Sequence, residues 1–122
     1  MERIMFIDDD PMLLRMAGFM MKKCGRQALT AASGDEGVAL IKSEHPQMIF
    51  LDAEMPEKNG LETLEQIKND SETAFVPVCI MSGTITDELR EKSQLLGAIG
   101  LIEKPLQVSQ VLEVINKVTG KE

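Results

Sequence analysis

Residues 4–11 read IMFIDDDP, an apolar run that leads directly into three aspartates and a proline. Four consecutive apolar residues indicate a short strand that is buried on both faces, as in a parallel sheet covered by helices. Asp10 followed by Pro11 is typical of a helix N-cap and the first residue of a helix. The stretch therefore predicts a buried strand, an acidic strand end and a helix, in that order.

The same alternation of a short apolar run and a helix-length amphipathic stretch occurs five times along the chain. The predicted strands are Arg3 to Ile7, Gln27 to Ala31, Met48 to Leu51, Val76 to Met81 and Ile99 to Ile102. The second run is the most polar of the five, so we place it at an edge of the sheet. With right-handed crossovers, the pattern predicts an α/β fold of three layers, in which five parallel strands lie between helices in a doubly wound (βα)₅ arrangement. We expect residues 1–122 to form a single domain.

Capping residues mark the predicted helix starts. Ser33 to Glu36 has the spacing of a capping box for the second helix, Asn59 to Glu62 offers a similar start to the third, and Thr86 suits the N-cap of the fourth. In the fifth helix, apolar residues recur at helical spacing before Gly120, namely Val108, Val111, Leu112, Ile115 and Val118.

Three methionines form a stripe along the first predicted helix, at Met12, Met16 and Met20. We interpret this stripe as a face that packs on the sheet. The alternative is a partner-binding face, because methionine side chains are flexible and adapt to varied surfaces.

Composition excludes several functional classes. The 122 residues are 43% hydrophobic, which is ample for one buried core, and no apolar run approaches the roughly 20 residues of a membrane span. The acidic N-terminus does not resemble a signal peptide, so we expect a cytoplasmic protein without membrane insertion. The net charge of −7 has the wrong sign for coating a phosphate backbone, and we expect no direct contact with nucleic acid. Cys24 and Cys79 lack the spacing of a zinc site and are interpreted as reduced thiols.

Polar residues follow four of the predicted strands, namely Asp8 and Asp9, Asp52, Ser82, and Lys104. Because the carboxyl ends of parallel strands meet at one edge of a sheet, we expect these side chains to converge. Two carboxylates about 4 Å apart repel by roughly 4 kcal/mol at an effective dielectric near 20, so three together need neutralisation. One divalent cation and the Lys104 ammonium would balance the charge. A small set of oxygen ligands favours Mg²⁺.

Four motifs carry a resemblance to the receiver domain of two-component response regulators. They are Ile4 to Pro11, Met48 to Pro56 with Asn59-Gly60, Met81 to Gly83, and Glu103 to Pro105, and the resemblance covers essentially the whole chain. It implies a flavodoxin-like sheet with strand order 2-1-3-4-5 and a cis Lys104-Pro105 bond.

The resemblance also implies roles for individual residues. Asp52 looks like the phosphoacceptor. Asp8, Asp9 and Asp52, with the backbone carbonyl of Glu54, look like the ligands of Mg²⁺. Ser82 is similar to the hydroxyl that senses the phosphoryl group, and Lys104 to its ion-pair partner. The implied partners are a sensor histidine kinase or histidine phosphotransfer protein as phosphoryl donor, and a downstream protein target or output domain; the protein would be a switch, not a turnover enzyme.

Two features depart from or modify the pattern of the family. Leu101 stands three residues before Lys104, where members often carry Tyr or Phe, so we expect a backbone shift of the loop after Met81 to carry the signal. Glu54 and Thr84 occupy positions that in this family tune how fast water removes the phosphoryl group.

Two rival interpretations remain open from the sequence. A pseudo-receiver would be an interaction module that never takes phosphate. A phosphatase of the haloacid dehalogenase type would use Asp8 as nucleophile, with Asp10 in its first motif, and would leave Asp52 idle. The chain is expected to be a free-standing receiver in preference to a fragment of a larger regulator.

Overall fold

Residues 2–120 are described by the computed structural model, and in this range five strands alternate with five helices. The strands are β1 (Arg3–Ile7), β2 (Gln27–Ala31), β3 (Met48–Asp52), β4 (Val78–Ser82) and β5 (Gly100–Glu103). The helices are α1 (Pro11–Lys23), α2 (Gly34–Glu44), α3 (Gly60–Asn69), α4 (Asp87–Leu95) and α5 (Val108–Thr119). No helix within this range has the length and apolar character needed to cross a bilayer.

All strand pairs are parallel, and the strand order is β2-β1-β3-β4-β5. This confirms the predicted fold class, the order implied by the resemblance and the edge position of β2. The β2 strand pairs with β1 alone, and of its five residues only Ala31 is fully buried. The Lys104-Pro105 peptide bond is cis, as the resemblance implied.

Each central strand contributes to two apolar cores, one on each face of the sheet. Ile4 and Phe6 of β1 pack with α1 and α5, while Met5 and Ile7 pack with α2 and α3. Phe6 stacks on Phe50 of β3, with ring centroids 5.1 Å apart. This burial on both faces explains why the strands are apolar at nearly every position.

The predicted helix starts are confirmed at α1, α3 and α4, and in part at α2. The Asp10 side chain accepts a hydrogen bond from the Met12 amide, Thr86 caps α4, and Asn59 forms a reciprocal capping box with Glu62. Ser33 caps α2 as expected, but Glu36 accepts from the amide of Ala32 rather than that of Ser33, so the predicted box is only half formed. The capping residues in the sequence were therefore nearly sufficient to predict where these helices begin.

The expectation that the methionine stripe of α1 packs on the sheet was wrong for two of its three residues. Met12 and Met16 are 62% and 46% exposed, and within the methionine stripe only Met20 is buried. Val108, in the first turn of α5, is 43% exposed, whereas Val111 and Ile115 further along the helix are buried. A periodic apolar pattern identifies one face of a helix, but it does not tell how far the neighbouring layer extends along that face.

The fourth strand begins two residues later than predicted. The amide of Val76 donates to the carbonyl of Thr73 in a turn, and Pro77 has no amide hydrogen, so the ladder with β3 starts at Val78. The strand ends at Ser82, so this hydroxyl lies at the carboxyl edge of the sheet.

Candidate functional site

The carboxyl edge of the sheet gathers the polar residues that follow four strands. Asp8 follows β1, and its amide donates to the carbonyl of Ala31 in the neighbouring strand. Asp52 is the last residue of β3, and Ser82 is the last residue of β4. Lys104 follows β5, and its amide donates to the Ser82 carbonyl over 2.8 Å. Backbone hydrogen bonds at the ends of the strands therefore fix the positions of the Cα atoms from which these side chains project.

Three carboxylates meet at this edge. Asp8 and Asp52 are 0% and 1% exposed, whereas Asp9 is open to solvent. One oxygen from each of the three lies within 4.8 Å of the others. The ammonium of Lys104 lies 2.8 Å from Asp8 Oδ2 and 2.9 Å from Asp52 Oδ1. One ammonium beside three carboxylates leaves two negative charges to be neutralised, which matches a divalent cation.

The environment of Asp52 disfavours its charged form. Burial raises the pKa of this carboxyl from 3.8 to about 6, and the negative charge of Asp8 adds to the rise. Hydrogen bonds from Lys104 and from the Glu54 amide act in the opposite direction but do not cancel it. Asp52 is thus a carboxylate under electrostatic strain, which a bound cation would relieve.

Lys104 responds to the same charges in the opposite sense. Burial lowers its pKa, but hydrogen bonds and charge interactions with Asp8 and Asp52 outweigh the burial and raise the pKa above 10.5. The side chain therefore stays cationic at every physiological pH.

The donor set fits a hard divalent cation such as Mg²⁺. Asp8 Oδ2 is buried and makes no hydrogen bond of suitable direction, although the Lys104 ammonium lies within ion-pair distance. A buried carboxylate oxygen without a hydrogen bond is costly unless something else binds it. The cluster is made of oxygen ligands, without histidine or thiolate, which is the set that Mg²⁺ prefers.

Ser82 has a contact that the sequence did not indicate. Its hydroxyl lies 2.7 Å from Glu54 Oε2 and 2.9 Å from the carbonyl oxygen of Thr84, and it accepts from the Thr84 amide over 3.2 Å. Glu54 is also tied to the phosphoacceptor candidate, because its amide donates to Asp52 Oδ1 over 3.2 Å. The position of Glu54 two residues after Asp52 was noted from the sequence, but no local pattern connects its side chain with Ser82.

Gly60 allows the close approach of α3 to the site. A Cβ atom at this residue would lie 2.1 Å from the carbonyl oxygen of Asp52 and 2.7 Å from the Cα of Ala53, and both of these are backbone atoms. The Gly60 amide donates to the Ala53 carbonyl over 3.0 Å. The sequence indicated Asn59-Gly60 as a helix start, but the contact with Asp52 depends on tertiary packing.

An exposed apolar surface lies beside the acidic edge. We call Met12, Met16 and Phe19 the α1 surface; their exposed fractions are 62%, 46% and 63%. Met12 and Met16 line a cleft of about 370 Å³ whose other walls are Asp10, Leu13, Lys104, Pro105 and Leu106. Lys104 thus borders both the carboxylates and this cleft.

Leu101 is half-buried and packs on the core between the sheet and α2, α3 and α4. It lines a small cavity of about 110 Å³ between α4 and β5, together with Arg90, Ser93, Gln94, Ala98, Ile99 and Gly100. The Leu101 side chain therefore lies next to unfilled space.

The doubly wound five-stranded sheet places this protein in the class of flavodoxin-like α/β domains. Its acidic cluster and lysine lie at the carboxyl edge of the sheet, at the point where the strand order reverses, which is where such domains carry their sites. The family model of the response regulator receiver domain matches residues 4–116. The chain therefore belongs to the family of response regulator receiver domains, the signalling modules of two-component systems.

Curated relatives and solved structures agree with this assignment. The chain is 36% identical to Protein PilH of Pseudomonas aeruginosa over 120 residues, which covers 97% of this chain and 98% of the relative. It is 26% identical to the polar-differentiation response regulator DivK of Brucella ovis over 117 residues, covering 96% and 95% of the two chains. The chemotaxis protein CheY4 of Vibrio cholerae superposes with a TM-score of 0.91 at 24% identity, covering 97% and 98% of the chains, which shows the shared fold. A CheY-like receiver domain protein of Methanospirillum hungatei superposes with a TM-score of 0.89 at 26% identity, covering 98% and 95%.

Proposed function

We propose that this chain is a phosphorelay switch in which Asp52 accepts a phosphoryl group from a sensor histidine kinase or a histidine phosphotransfer protein. The proposal rests on one observation: a buried Asp52 lies 2.9 Å from the Lys104 ammonium and shares a pocket with Asp8 and Asp9. Residues 1–122 would act as a single receiver domain. The protein would promote its own phosphorylation and dephosphorylation without being a turnover enzyme.

Asp8, Asp9 and Asp52, with the backbone carbonyl of Glu54, would hold Mg²⁺. The cation would supply charge neutralisation for the incoming phosphoryl oxygens. Asp52 Oδ1 is already held by Lys104 and by the Glu54 amide, so Asp52 Oδ2 is the oxygen available for bond formation. A bond forms between this oxygen and phosphorus, the bond between phosphorus and the donor imidazole nitrogen breaks, and the imidazole leaves with its electron pair. The protein contributes mainly placement and charge neutralisation.

Phosphorylation changes the balance of charge at the site. The acyl phosphate carries about two negative charges where the carboxylate carried one. Lys104 and Ser82 can each donate a hydrogen bond to its oxygens, worth about 1.5–3 kcal/mol apiece. Inverting a two-state equilibrium from 1:99 to 99:1 takes about 5.5 kcal/mol, so the two contacts together are of the right size for a conformational switch.

The partners would use two different surfaces. The α1 surface borders the cleft that contains Lys104, so we assign it to the phosphoryl donor, which must bring its imidazole to Asp52. A downstream protein target or output domain would bind the face made by α4, β5 and α5, where Leu95 and Ile99 are exposed. The alternative function is a pseudo-receiver that binds partners without taking phosphate, and the leucine at position 101 is the observation that favours it.

Incubation with acetyl phosphate and Mg²⁺, followed by intact mass spectrometry, tests the proposal. We expect wild-type protein and Glu113→Gln, a surface control on α5, to gain one phosphoryl group, and Asp52→Asn to gain none. Absence of the added mass from wild type would support the pseudo-receiver. Loss of the mass in Asp8→Asn together with its retention in Asp52→Asn would support the phosphatase-type nucleophile instead.

A further inference from the structure

The hydroxyl of Ser82 is occupied by protein acceptors. It lies 2.7 Å from Glu54 Oε2 and 2.9 Å from the Thr84 carbonyl oxygen. A serine hydroxyl has one hydrogen, so it donates to one of these acceptors at a time. The carboxylate is the stronger acceptor because a hydrogen bond to an ionised group is shorter and about twice as strong as one between neutral groups. The Ser82 hydroxyl therefore donates its hydrogen bond to the Glu54 carboxylate in the structure.

Glu54 reaches Ser82 from the solvent side of the site. Ser82 is fully buried, whereas Glu54 and Thr84 are exposed. Glu54 is linked to Asp52 through its amide and to Ser82 through its carboxylate, so one residue spans the phosphoacceptor candidate and the hydroxyl that would sense phosphorylation. A phosphoryl group on Asp52 would accept the same Ser82 hydrogen bond that Glu54 accepts here.

We propose that the Glu54 carboxylate is a competing acceptor that holds Ser82 in its unphosphorylated arrangement and must release it before Ser82 can bind a phosphoryl group on Asp52. The inference rests on the proposed function, and it makes Glu54 a positioning residue that sets the ratio of the two states. The transfer of the Ser82 hydrogen bond from Glu54 to the phosphoryl group leaves no buried polar group without a partner. When Glu54 withdraws, its carboxylate enters water.

Competition for Ser82 differs from simple charge repulsion of the phosphoryl group by Glu54. Repulsion would act whatever residue stands at position 82, and it would be relieved equally by Glu54→Gln and Glu54→Ala. Competition disappears when Ser82 is absent. It is relieved less by Glu54→Gln, which keeps a neutral acceptor, than by Glu54→Ala, which keeps none.

Binding of beryllofluoride in the presence of Mg²⁺, measured by calorimetry, separates the two explanations, because this anion imitates a phosphoryl group on a carboxylate. In Glu54→Ala the Ser82 hydroxyl donates to the neutral Thr84 carbonyl, so we expect about two- to tenfold tighter binding than in wild type, the range that corresponds to one net hydrogen bond. Glu54→Gln should lie between the two. In a Ser82→Ala background the Glu54→Ala change should alter binding by less than about twofold, which is the signature of coupling between the two side chains.

Glu103→Gln is the matched control. Glu103 is exposed and pairs in register with Ser82 across β4 and β5, and within residues 2–120 it makes no hydrogen bond to the Ser82 hydroxyl. We expect its removal to change the affinity by less than about twofold. All variants are first checked for wild-type thermal unfolding by circular dichroism.

The outcomes distinguish this inference from the function on which it rests. Unchanged binding in Glu54→Ala, or equal tightening in the presence and absence of Ser82, would overturn the competition and leave the phosphorelay switch intact. Failure of wild type to bind beryllofluoride with Mg²⁺ would overturn the proposed function, and the competition with it.

Discussion

Replacing Asp52 by Asn should stabilise the metal-free protein at neutral pH. Burial and the neighbouring Asp8 raise the pKa of Asp52 from 3.8 to about 6, so the folded protein binds this proton more tightly than the unfolded chain does. The contribution of Asp52 to folding stability is then highest below the pKa that this carboxyl has in the unfolded chain. It falls as pH rises from about 4 to about 6 and levels off at higher pH. Each pKa unit is worth about 1.36 kcal/mol, so the charged carboxylate costs up to about 3 kcal/mol at neutral pH.

Asparagine removes this charge and keeps the local hydrogen bonds. Its carbonyl oxygen can accept from the Lys104 ammonium and the Glu54 amide, the two donors that Asp52 Oδ1 uses now. Its amide group can donate to the nearby carboxylates. The gain in stability should therefore follow the titration of Asp52, with a difference below about 1 kcal/mol near pH 4 and a plateau of about 2–3 kcal/mol above pH 7.

Urea unfolding in EDTA, followed by far-UV circular dichroism, measures this difference. The chain has no tryptophan or tyrosine, so the backbone signal is the suitable probe. Glu113→Gln, on the exposed face of α5, should stay within about 0.5 kcal/mol of wild type at every pH. A difference between Asp52→Asn and wild type that is constant from pH 4 to pH 8, or an Asp52→Asn protein less stable than wild type at pH 8, would refute the electrostatic reasoning.

Five further substitutions test other parts of the structure by the same measurement. Gly60→Ala should destabilise the protein by more than about 2 kcal/mol because the new Cβ would overlap the Asp52 backbone. Gly18→Ala should stabilise the protein by up to about 1 kcal/mol, because Gly18 lies inside α1 with open space around it. Equal effects of the two substitutions would contradict the close approach of α3 to the Asp52 backbone. Lys104→Met should destabilise the metal-free protein by about 1–3 kcal/mol at pH 8, because it leaves the carboxylates of Asp8 and Asp52 without a cation. Added Mg²⁺ should restore part of this lost stability. A loss of stability that does not depend on pH or Mg²⁺ would contradict this electrostatic role of Lys104. Met20→Ala should cost about 2–3 kcal/mol and Met16→Ala less than about 1 kcal/mol, and similar losses would mean that the whole stripe is packed.

The local sequence was sufficient for the elements and for most of the site. Runs that are apolar at every position are typical of strands in a parallel sheet covered on both faces, and caps such as Asp10 and Asn59 act within a few residues of their own position. Asp8, Asp52 and Lys104 could be expected to converge because each follows a strand, and the carboxyl ends of parallel strands share one edge.

Other properties were decided by the tertiary structure alone. The exposure of Met12 and Met16 depends on which part of α1 the neighbouring elements cover. The hydrogen bond between Glu54 and Ser82 joins two residues that are 28 positions apart in the chain. The raised pKa of Asp52 likewise comes from water excluded by other elements and from a charge on another strand. Periodicity and capping are short-range effects that a sequence records directly, whereas burial depth and electrostatic coupling depend on distances that exist only after the chain has folded.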